Sequence, residues 1–168
     1  MYVDYSDYNN VSSNTITNNN GHGLFFENSD YNNISGNTVK SNSGYGLYIK
    51  LSNDDFILSN TIKQNSMYGI YFAGGCCSNV VSGNTIEGHS GFGILNYYYS
   101  SNNEITQNTI TDNGCGIQII NHCINNIVST NIILNNNLGL NINQSSSGNL
   151  VYRSSARRPP VLTGGWIA

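Results

Sequence analysis

The stretch Asn37-Thr38-Val39, followed five residues later by Gly44-Tyr45-Gly46-Leu47-Tyr48-Ile49, decides the fold because it recurs along the chain. The leading asparagines of its six copies are Asn14, Asn37, Asn60, Asn84, Asn108 and Asn131. They advance by 23, 23, 24, 24 and 23 residues, and the second glycine of each copy advances at nearly the same intervals. A constant period over six copies predicts a solenoid, in which each repeat packs on the next.

Equivalent places in the six repeats form apolar columns. The third residue before the leading asparagine and the second residue after it are always Val or Ile. The residue after the second glycine is always Leu or Ile, and two residues further the column is apolar except at Asn96. Such residues favour strands, and no ten-residue window has helical periodicity. Each repeat is therefore predicted to form a coil of three short strands separated by turns.

The chain has 168 residues, and 16 of its 31 asparagines lie in three columns at the predicted turns. One column holds the leading asparagines, and the other two lie five residues before and five residues after them, with Asp55 and His89 as exceptions. Asparagine tolerates the left-handed backbone region and bonds its own backbone. Stacked asparagine side chains can also form hydrogen-bonded ladders. We therefore expect a structural ladder along the leading asparagines, and a glycine turn where a side chain would clash.

Composition narrows the class of protein. Only 9% of the residues are charged and the net charge is −3, so we expect no nucleic-acid partner. No apolar run approaches about 18 residues, which predicts no membrane-spanning segment. A leucine-rich repeat needs an apolar residue five places before its asparagine, where this chain has Asn or Asp, and the hexapeptide and nonapeptide β-helices have other periods.

The repeat, written N-x-I-x-x-N-T-I followed by N-x-G-x-G-I-x-I, resembles that of the right-handed parallel β-helix proteins over about residues 1–153. Among them it is most similar to the NosD-like group and to carbohydrate-binding and sugar-hydrolase repeat domains. The resemblance implies an all-β, right-handed parallel β-helix with three sheets and about 23 residues per coil. It also implies an extracellular, periplasmic or cell-surface location, whereas function must be argued from a site.

The repeats predict one domain over residues 1–153 and a non-repeat tail over 154–168. One period before Leu24 lies Met1, so the chain begins inside a coil. At the other end, Ser154 occupies the place of the next leading asparagine, and Pro159-Pro160 interrupts the pattern. Uncapped coils expose strand edges, so we expect a fragment of a longer solenoid that can associate end to end.

Strand alternation places one aromatic column on the outside, at Phe25, Tyr48 and Tyr71. We expect this exposed stripe to contact sugar rings; the alternative is a ladder that only stabilises the sheet. The same alternation points a neighbouring column toward the interior, where we expect an aromatic stack. That column contains His22, Tyr45, Tyr68 and Phe92.

Catalytic candidates are few. Asp54-Asp55 and Gly21-His22-Gly23 resemble two motifs of polygalacturonases, but their order differs and the N-T-D and R-I-K motifs are missing. Lys40 and Lys63 stack in adjacent coils, as a basic residue of a lyase would, without a cluster of acids beside them. The catalytic candidates are therefore Asp54, Asp55, Lys40 and Lys63, each with an ordinary solvated or turn role as the alternative.

No resident cofactor or metal is expected. Asp30, Asp54 and Asp55 fall within about one coil, so weak Ca²⁺ binding is the alternative there. Cysteine pairing is not expected either, because Cys77 and Cys123 are predicted to share a coil position two coils apart. The same distance argues against one metal ion held by both regions.

The sequence therefore predicts a non-catalytic β-helix scaffold that binds polysaccharide on its aromatic stripe. One alternative is a polysaccharide lyase, hydrolase or epimerase whose active residues escape recognition. The other is a structural spacer of a surface protein.

Overall fold

The computed structural model describes residues 1–143, 145–156 and 161–162. Of the predicted tail over 154–168, the structure describes residues 154–156 and 161–162, and the remainder of the tail lies outside the described residues. The strands in chain order are β1 Tyr2–Asp4, β2 Asn10–Ser12, β3 Thr15–Thr17, β4 Leu24–Glu27, β5 Asn33–Ser35, β6 Thr38–Lys40, β7 Leu47–Lys50, β8 Phe56–Leu58, β9 Thr61–Lys63, β10 Ile70–Ala73, β11 Val80–Ser82, β12 Thr85–Glu87, β13 Phe92–Tyr97, β14 Glu104–Thr106, β15 Thr109–Thr111, β16 Cys115–Ile120, β17 Ile127–Ser129, β18 Ile132–Leu134, β19 Leu138–Ile142, β20 Leu150–Tyr152, β21 Ser155–Ala156 and β22 Val161–Leu162.

Every third strand belongs to the same parallel sheet, which confirms the predicted three-sheet β-helix. Sheet I contains eight strands in the order β1-β4-β7-β10-β13-β16-β19-β22. Sheet II runs from β2 through β5 to β20, and sheet III runs from β3 through β6 to β21. The chain winds in the right-handed sense for about seven turns, with about 23 residues per turn. Register follows the repeat, so that Leu24 pairs with Leu47 and Phe25 pairs with Tyr48.

The apolar columns point inward and form one continuous core. Ile34 on sheet II, Val39 on sheet III and Leu47 on sheet I are all fully buried in neighbouring coils. Asn96, the one polar residue in the apolar columns, is also buried, and its amide nitrogen donates to the Ser100 carbonyl at 2.8 Å. A buried amide needs such a partner, because an unpaired one would lose its hydrogen bonds with water.

The leading asparagines form a hydrogen-bonded ladder inside the coil. Asn84, 1% exposed, is typical: its Oδ1 accepts from the backbone and side-chain nitrogens of Asn60 at 2.8 and 3.0 Å. Its Nδ2 donates to the Ile57 carbonyl at 2.8 Å. The same side-chain links join consecutive members of the column Asn14, Asn37, Asn60, Asn84, Asn108 and Asn131. Ser154 continues it, because its hydroxyl accepts from the Asn131 backbone at 3.3 Å.

The leading asparagines do not adopt the left-handed backbone conformation, although tolerance of that conformation is one reason to expect asparagine at these turns. The residue just before each one takes that conformation instead, as Ser13 does at φ 57° and Ser59 at φ 54°. The asparagine is needed for its side-chain donor and acceptor, and any short or flexible residue can make the turn before it.

A further column of small polar residues escaped the sequence analysis. It lies where the chain passes from sheet I to sheet II, and it contains Ser29, Ser52, Cys76, Ser100, Cys123 and Ser146, all buried. The Ser52 and Ser100 hydroxyls accept from the backbone nitrogens of Ser29 and Cys76 at 3.0 and 3.1 Å. Each turn of the coil therefore has an inward polar group that satisfies the neighbouring backbone.

Candidate functional site

The predicted aromatic stripe lies on the outer face of sheet I. Phe25, Tyr48 and Tyr71 are each half-buried, and their rings stack at 4.5 Å and 5.2 Å between centroids, with interplanar angles of 11° and 6°. Tyr2 extends the stack at 4.7 Å from Phe25. Because the rings face one another, their edges and hydroxyl groups, and not their faces, point outward. The stripe is therefore a row of ring edges.

A second aromatic row lies beside the stripe, and the prediction that it points into the interior is wrong. His22 stacks on Tyr45 at 4.7 Å, and Tyr45 stacks on Tyr68 at 5.0 Å. Tyr45 also meets Tyr48 edge to face at 5.2 Å, so both rows share the outer surface. The cause is the glycine between the row and the strand. A Cβ at Gly23 would clash with Val39 Cγ1 in the core, so Gly23 itself points inward and shifts the alternation by one residue.

The outer surface of sheet I is polar and neutral at its aromatic rows. Burial raises the pKa of the Tyr45, Tyr48 and Tyr71 hydroxyls above the ordinary value. Burial also lowers the pKa of His22, whose Nδ1 accepts from the Tyr45 backbone at 3.1 Å. Near pH 7 these groups are uncharged and can both donate and accept hydrogen bonds.

An ion pair borders the stripe. Lys50 Nζ lies 2.6 Å from Glu27 Oε1 on the adjacent strand. The hydrogen bond from Lys50, followed by one from Tyr2, lowers the pKa of Glu27, and the bond to Glu27 raises the pKa of Lys50. Both groups are therefore charged across the neutral range and offer one cation and one anion to a polar ligand.

The four catalytic candidates do not come together. Lys40 and Lys63 are paired residues on β6 and β9 of sheet III, and Lys63 forms an ion pair with Glu87 at 2.7 Å. Asp54 and Asp55 lie in the turn between sheets I and II, at a different corner of the coil. Asp54 is half-buried, whereas Asp55 is fully buried, so a substrate on the surface cannot contact its carboxyl group.

Asp55 takes the place of an asparagine in the ladder that precedes sheet II. Its Oδ1 accepts from the backbone and side-chain nitrogens of Asn32 at 2.8 and 2.9 Å. Its Oδ2 is buried and has no hydrogen-bond partner among the described residues. Burial, and secondarily the charges of Asp30 and Asp54, raises the pKa of Asp55 to about 7. A protonated carboxyl would supply both the acceptor and the donor that an asparagine amide supplies.

His89 is the second exception in the ladders, and it shows the same rule. Its Nδ1 accepts from the Asn65 backbone at 3.2 Å, and its Nε2 lies 3.2 Å from the Ile62 carbonyl. Burial lowers the pKa of His89, so the ring is neutral with the proton on Nε2. One ring nitrogen thus acts as the amide oxygen and the other as the amide nitrogen. The ladder selects for one acceptor and one donor, whatever side chain provides them.

The cysteines are free thiols, as the sequence analysis predicts. The residue that shares a column with Cys123 is Cys76, however, and not Cys77. The Cys76 backbone N–H donates to the Ser100 hydroxyl at 3.1 Å, and the Cys123 backbone N–H donates to the Ser146 hydroxyl at the same distance. Burial raises the pKa of both thiols to about 11, so they are protonated and weakly nucleophilic near neutral pH.

The described part of the chain contains neither a cluster of metal-binding side chains nor a helix that could span a membrane. Within residues 1–143, 145–156 and 161–162, no three His, Cys, Asp or Glu side chains are grouped so that they could hold a metal ion. Over the same residues, no helix has the length and apolar character that crossing a lipid bilayer requires.

Three parallel sheets and stacked polar ladders define a right-handed β-helix, and the comparison with protein families agrees. The family described as the right-handed beta helix region matches residues 1–156. The chain belongs to this family. A comparison with curated protein sequences gives no match.

Several solved structures share the fold. A mutant of a periplasmic alginate epimerase superposes with a TM-score of 0.85 at 21% identity, over 92% of this chain and 47% of that chain. The Dettilon tailspike protein gives 0.74 at 18% identity, over 90% and 38%. The A-module of a mannuronan C-5 epimerase from Azotobacter vinelandii gives 0.67 at 18% identity, over 95% and 54%. This chain thus spans about half the length of the epimerases, and at these identities the likeness is evidence for the fold.

Proposed function

We propose that this chain is a non-catalytic β-helix scaffold that binds a polysaccharide along the outer face of sheet I. The observation that carries the proposal is the pair of aromatic rows, which repeats in register over successive coils. Coils follow one another at about 4.8 Å, so a polymer of repeated units along the axis meets equivalent groups again and again. A surface of this kind suits an extended chain better than a compact ligand.

The ring-edge geometry determines the mode of binding. Stacked rings cover both faces of Phe25 and of Tyr48 and one face of Tyr71, so stacking of a sugar on these faces is not the contact we propose. The tyrosine hydroxyls are neutral, and each can donate and accept a hydrogen bond with sugar hydroxyl groups. The ring edges provide apolar contact, and Lys50 lies beside them for a carboxylated sugar.

The structural neighbours support the same class of ligand. Two of them are named for the epimerisation of alginate or mannuronan, and one is described as periplasmic. We therefore propose polysaccharide as the partner and a location outside the cytoplasm, with alginate as the first polymer to test.

Replacing both Tyr48 and Tyr71 with alanine is expected to weaken polysaccharide binding at least about tenfold, because two ring edges and two hydroxyls are lost. The double phenylalanine variant keeps the stack and should lose about threefold, the part contributed by the hydroxyls. Affinity electrophoresis in gels that contain alginate, and titration calorimetry, measure both. Tyr8→Ala is the matched control: Tyr8 is exposed and stacks on Tyr31 away from the stripe. Equal binding by all four proteins would contradict the proposal.

The second candidate function is a polysaccharide lyase, hydrolase or epimerase, which the epimerase neighbours favour. Lys40, Lys63 and Asp54 are the candidate residues that reach the surface. The scaffold proposal predicts no cleavage and no epimerisation of alginate, with or without added Ca²⁺. Turnover that disappears in the Lys40→Ala/Lys63→Ala variant would establish the enzyme instead. A chain that neither binds nor turns over polysaccharide would leave the structural spacer.

A further inference from the structure

The corner between sheets I and II widens by one residue in the middle of the chain. In the earlier coils, one left-handed residue separates the strand of sheet I from the buried serine column, as Leu51 does before Ser52. In the fourth, fifth and sixth coils there are two such residues: Gly74 and Gly75, then Tyr98 and Tyr99, then Asn121 and His122. The corner therefore protrudes further in these coils than in the coils before them. The first wide corner, Gly74–Gly75, has no side chains.

This first wide corner is a notch. A Cβ placed on Gly75 would have no heavy atom within 4 Å, so the space outside Gly75 is open. A Cβ on Gly74 would touch only Leu51, at 3.3 Å. Leu51 forms one wall of the notch, and the opposite wall belongs to the next coil, where Tyr98 and Tyr99 are each about half exposed.

The wall presents the face of an aromatic ring. Tyr99 stacks on His122 of the following coil at 5.1 Å and 12°, so its opposite face looks toward the coil of Gly75. Tyr98 stands at 83° to Tyr99, with the centroids 4.9 Å apart, so the two rings form a right-angled corner. Phe25 and Tyr48 have stacked rings on both faces, whereas Tyr99 stacks on one described ring, His122.

The notch is continuous with the stripe. Tyr71 contacts Tyr97 at 6.3 Å between centroids, and Tyr97 contacts Tyr98 at 6.1 Å. A chain of aromatic rings thus runs from sheet I across its edge to the corner. A polymer on sheet I would meet the notch at this end of the rows.

We propose that the notch of Gly74, Gly75, Tyr98 and Tyr99 is a binding subsite for one pyranose ring of a polysaccharide. This inference rests on the proposed function, since it assigns one sugar of the same ligand to a particular place. The apolar face of the pyranose lies on the free face of Tyr99, and Tyr98 closes the side of the site. The hydroxyl groups of Tyr98 and Tyr99 can donate to and accept from the sugar hydroxyl groups.

Two kinds of variant test the subsite from opposite directions. Tyr99→Ala removes the ring, and we expect the affinity for an alginate hexasaccharide or for cellohexaose to fall about three- to tenfold. Tyr99→Phe keeps the face and should bind within about twofold of the unaltered chain. Gly75→Asn leaves both rings in place and fills the open space, so it should weaken binding like Tyr99→Ala. Asparagine tolerates the left-handed backbone, as Asn121 does at φ 63° in the same corner.

Titration calorimetry with both oligosaccharides measures the outcome, and circular dichroism verifies the fold of each variant. If Tyr99→Ala does not fold, Gly75→Asn carries the test. If the Tyr48→Ala/Tyr71→Ala variant loses affinity while Tyr99→Ala and Gly75→Asn do not, the subsite is overturned and the proposed function stands. The reverse result supports the subsite and overturns the role of the stripe. If neither oligosaccharide binds the unaltered chain, both are overturned.

Discussion

Replacing Asp55 with asparagine is expected to stabilise the protein by up to about 4 kcal/mol at pH 8 and to change its stability little at pH 4. Asp55 is buried, one carboxyl oxygen has no partner among the described residues, and its pKa is raised to about 7. An unfolded aspartate has a pKa near 3.9. Asparagine supplies the missing donor without a proton from solvent, as Asn103 does by donating to the Cys76 carbonyl at 2.8 Å.

The direction of the pH dependence follows from proton linkage. Between about pH 4 and pH 7 the folded protein holds a proton on Asp55 that the unfolded chain has released. The stability contributed by this proton is therefore complete below about pH 4 and is lost as the pH rises through about 7. Stability should fall over that window in the unaltered protein, relative to Asp55→Asn, by about 1.4 kcal/mol for each pH unit.

Denaturant unfolding of both proteins at pH 4, 6 and 8 measures the difference. Glu27, whose pKa is lowered by the hydrogen bond from Lys50, is common to both and cancels in the comparison. Asp54→Asn is the matched control, because Asp54 is half-buried and adjacent, and it should change stability by less than about 1 kcal/mol. A difference between Asp55→Asn and the unaltered protein that stays constant from pH 4 to pH 8 would contradict the argument.

Asn84→Ala should destabilise the protein by about 3–6 kcal/mol, because it removes four buried hydrogen bonds of the ladder. Asn84 Oδ1 accepts from the backbone and side-chain nitrogens of Asn60, and Asn84 Nδ2 donates to the Ile57 carbonyl and to Asn108 Oδ1. Each such bond contributes about 0.5–1.5 kcal/mol, and a buried group that loses its partner costs about 1–3 kcal/mol. Chemical denaturation measures the loss, and Asn20→Ala, at an exposed position, should change stability by less than about 0.5 kcal/mol.

A second substitution at the same place separates the hydrogen bonds from the packing. Asn84→Asp keeps the shape, and its protonated form can replace the amide, so we expect it to be tolerated at pH 4 and damaging at pH 8. If Asn84→Ala costs less than about 1 kcal/mol, or if Asn84→Asp shows no pH dependence, the ladder contributes less than its geometry implies.

The period made the core and the sheet register predictable. Once the copies are aligned, Val39, Leu47 and Ile49 must fall in inward columns, and the structure places them there. The aromatic rows show where this reasoning fails. Strand alternation predicts that Tyr45 points inward, but the inward Gly46 interrupts the alternation, and only the backbone shows the interruption.

The corner between sheets I and II could not be predicted for a related reason. A period counted from one asparagine to the next reports that a coil has an extra residue, but not where that residue lies. Because of this ambiguity, the period assigns Cys77 and not Cys76 to the column of Cys123, and it does not reveal that Tyr98 and Tyr99 lie beside Gly74 and Gly75 of the preceding coil. Side-chain columns are visible in a sequence, whereas the spaces between them are visible only once the coils are stacked.

The ladder has a consequence for how such chains change in length. Each asparagine of the ladder needs only an equivalent asparagine in the coil before it and in the coil after it. Ser59 and Gly83 have the same left-handed conformation and occupy equivalent positions before Asn60 and Asn84. Excision of residues 60–83 would join Ser59 to Asn84 and leave each remaining asparagine of the ladder with a partner. Gain or loss of whole coils therefore preserves the ladders, although each coil removed also removes its share of the buried core. The extra residue of the fourth coil lies at a corner, outside the strands. A change in copy number would therefore change the length of the outer surface of sheet I while the cross-section of the molecule stays the same.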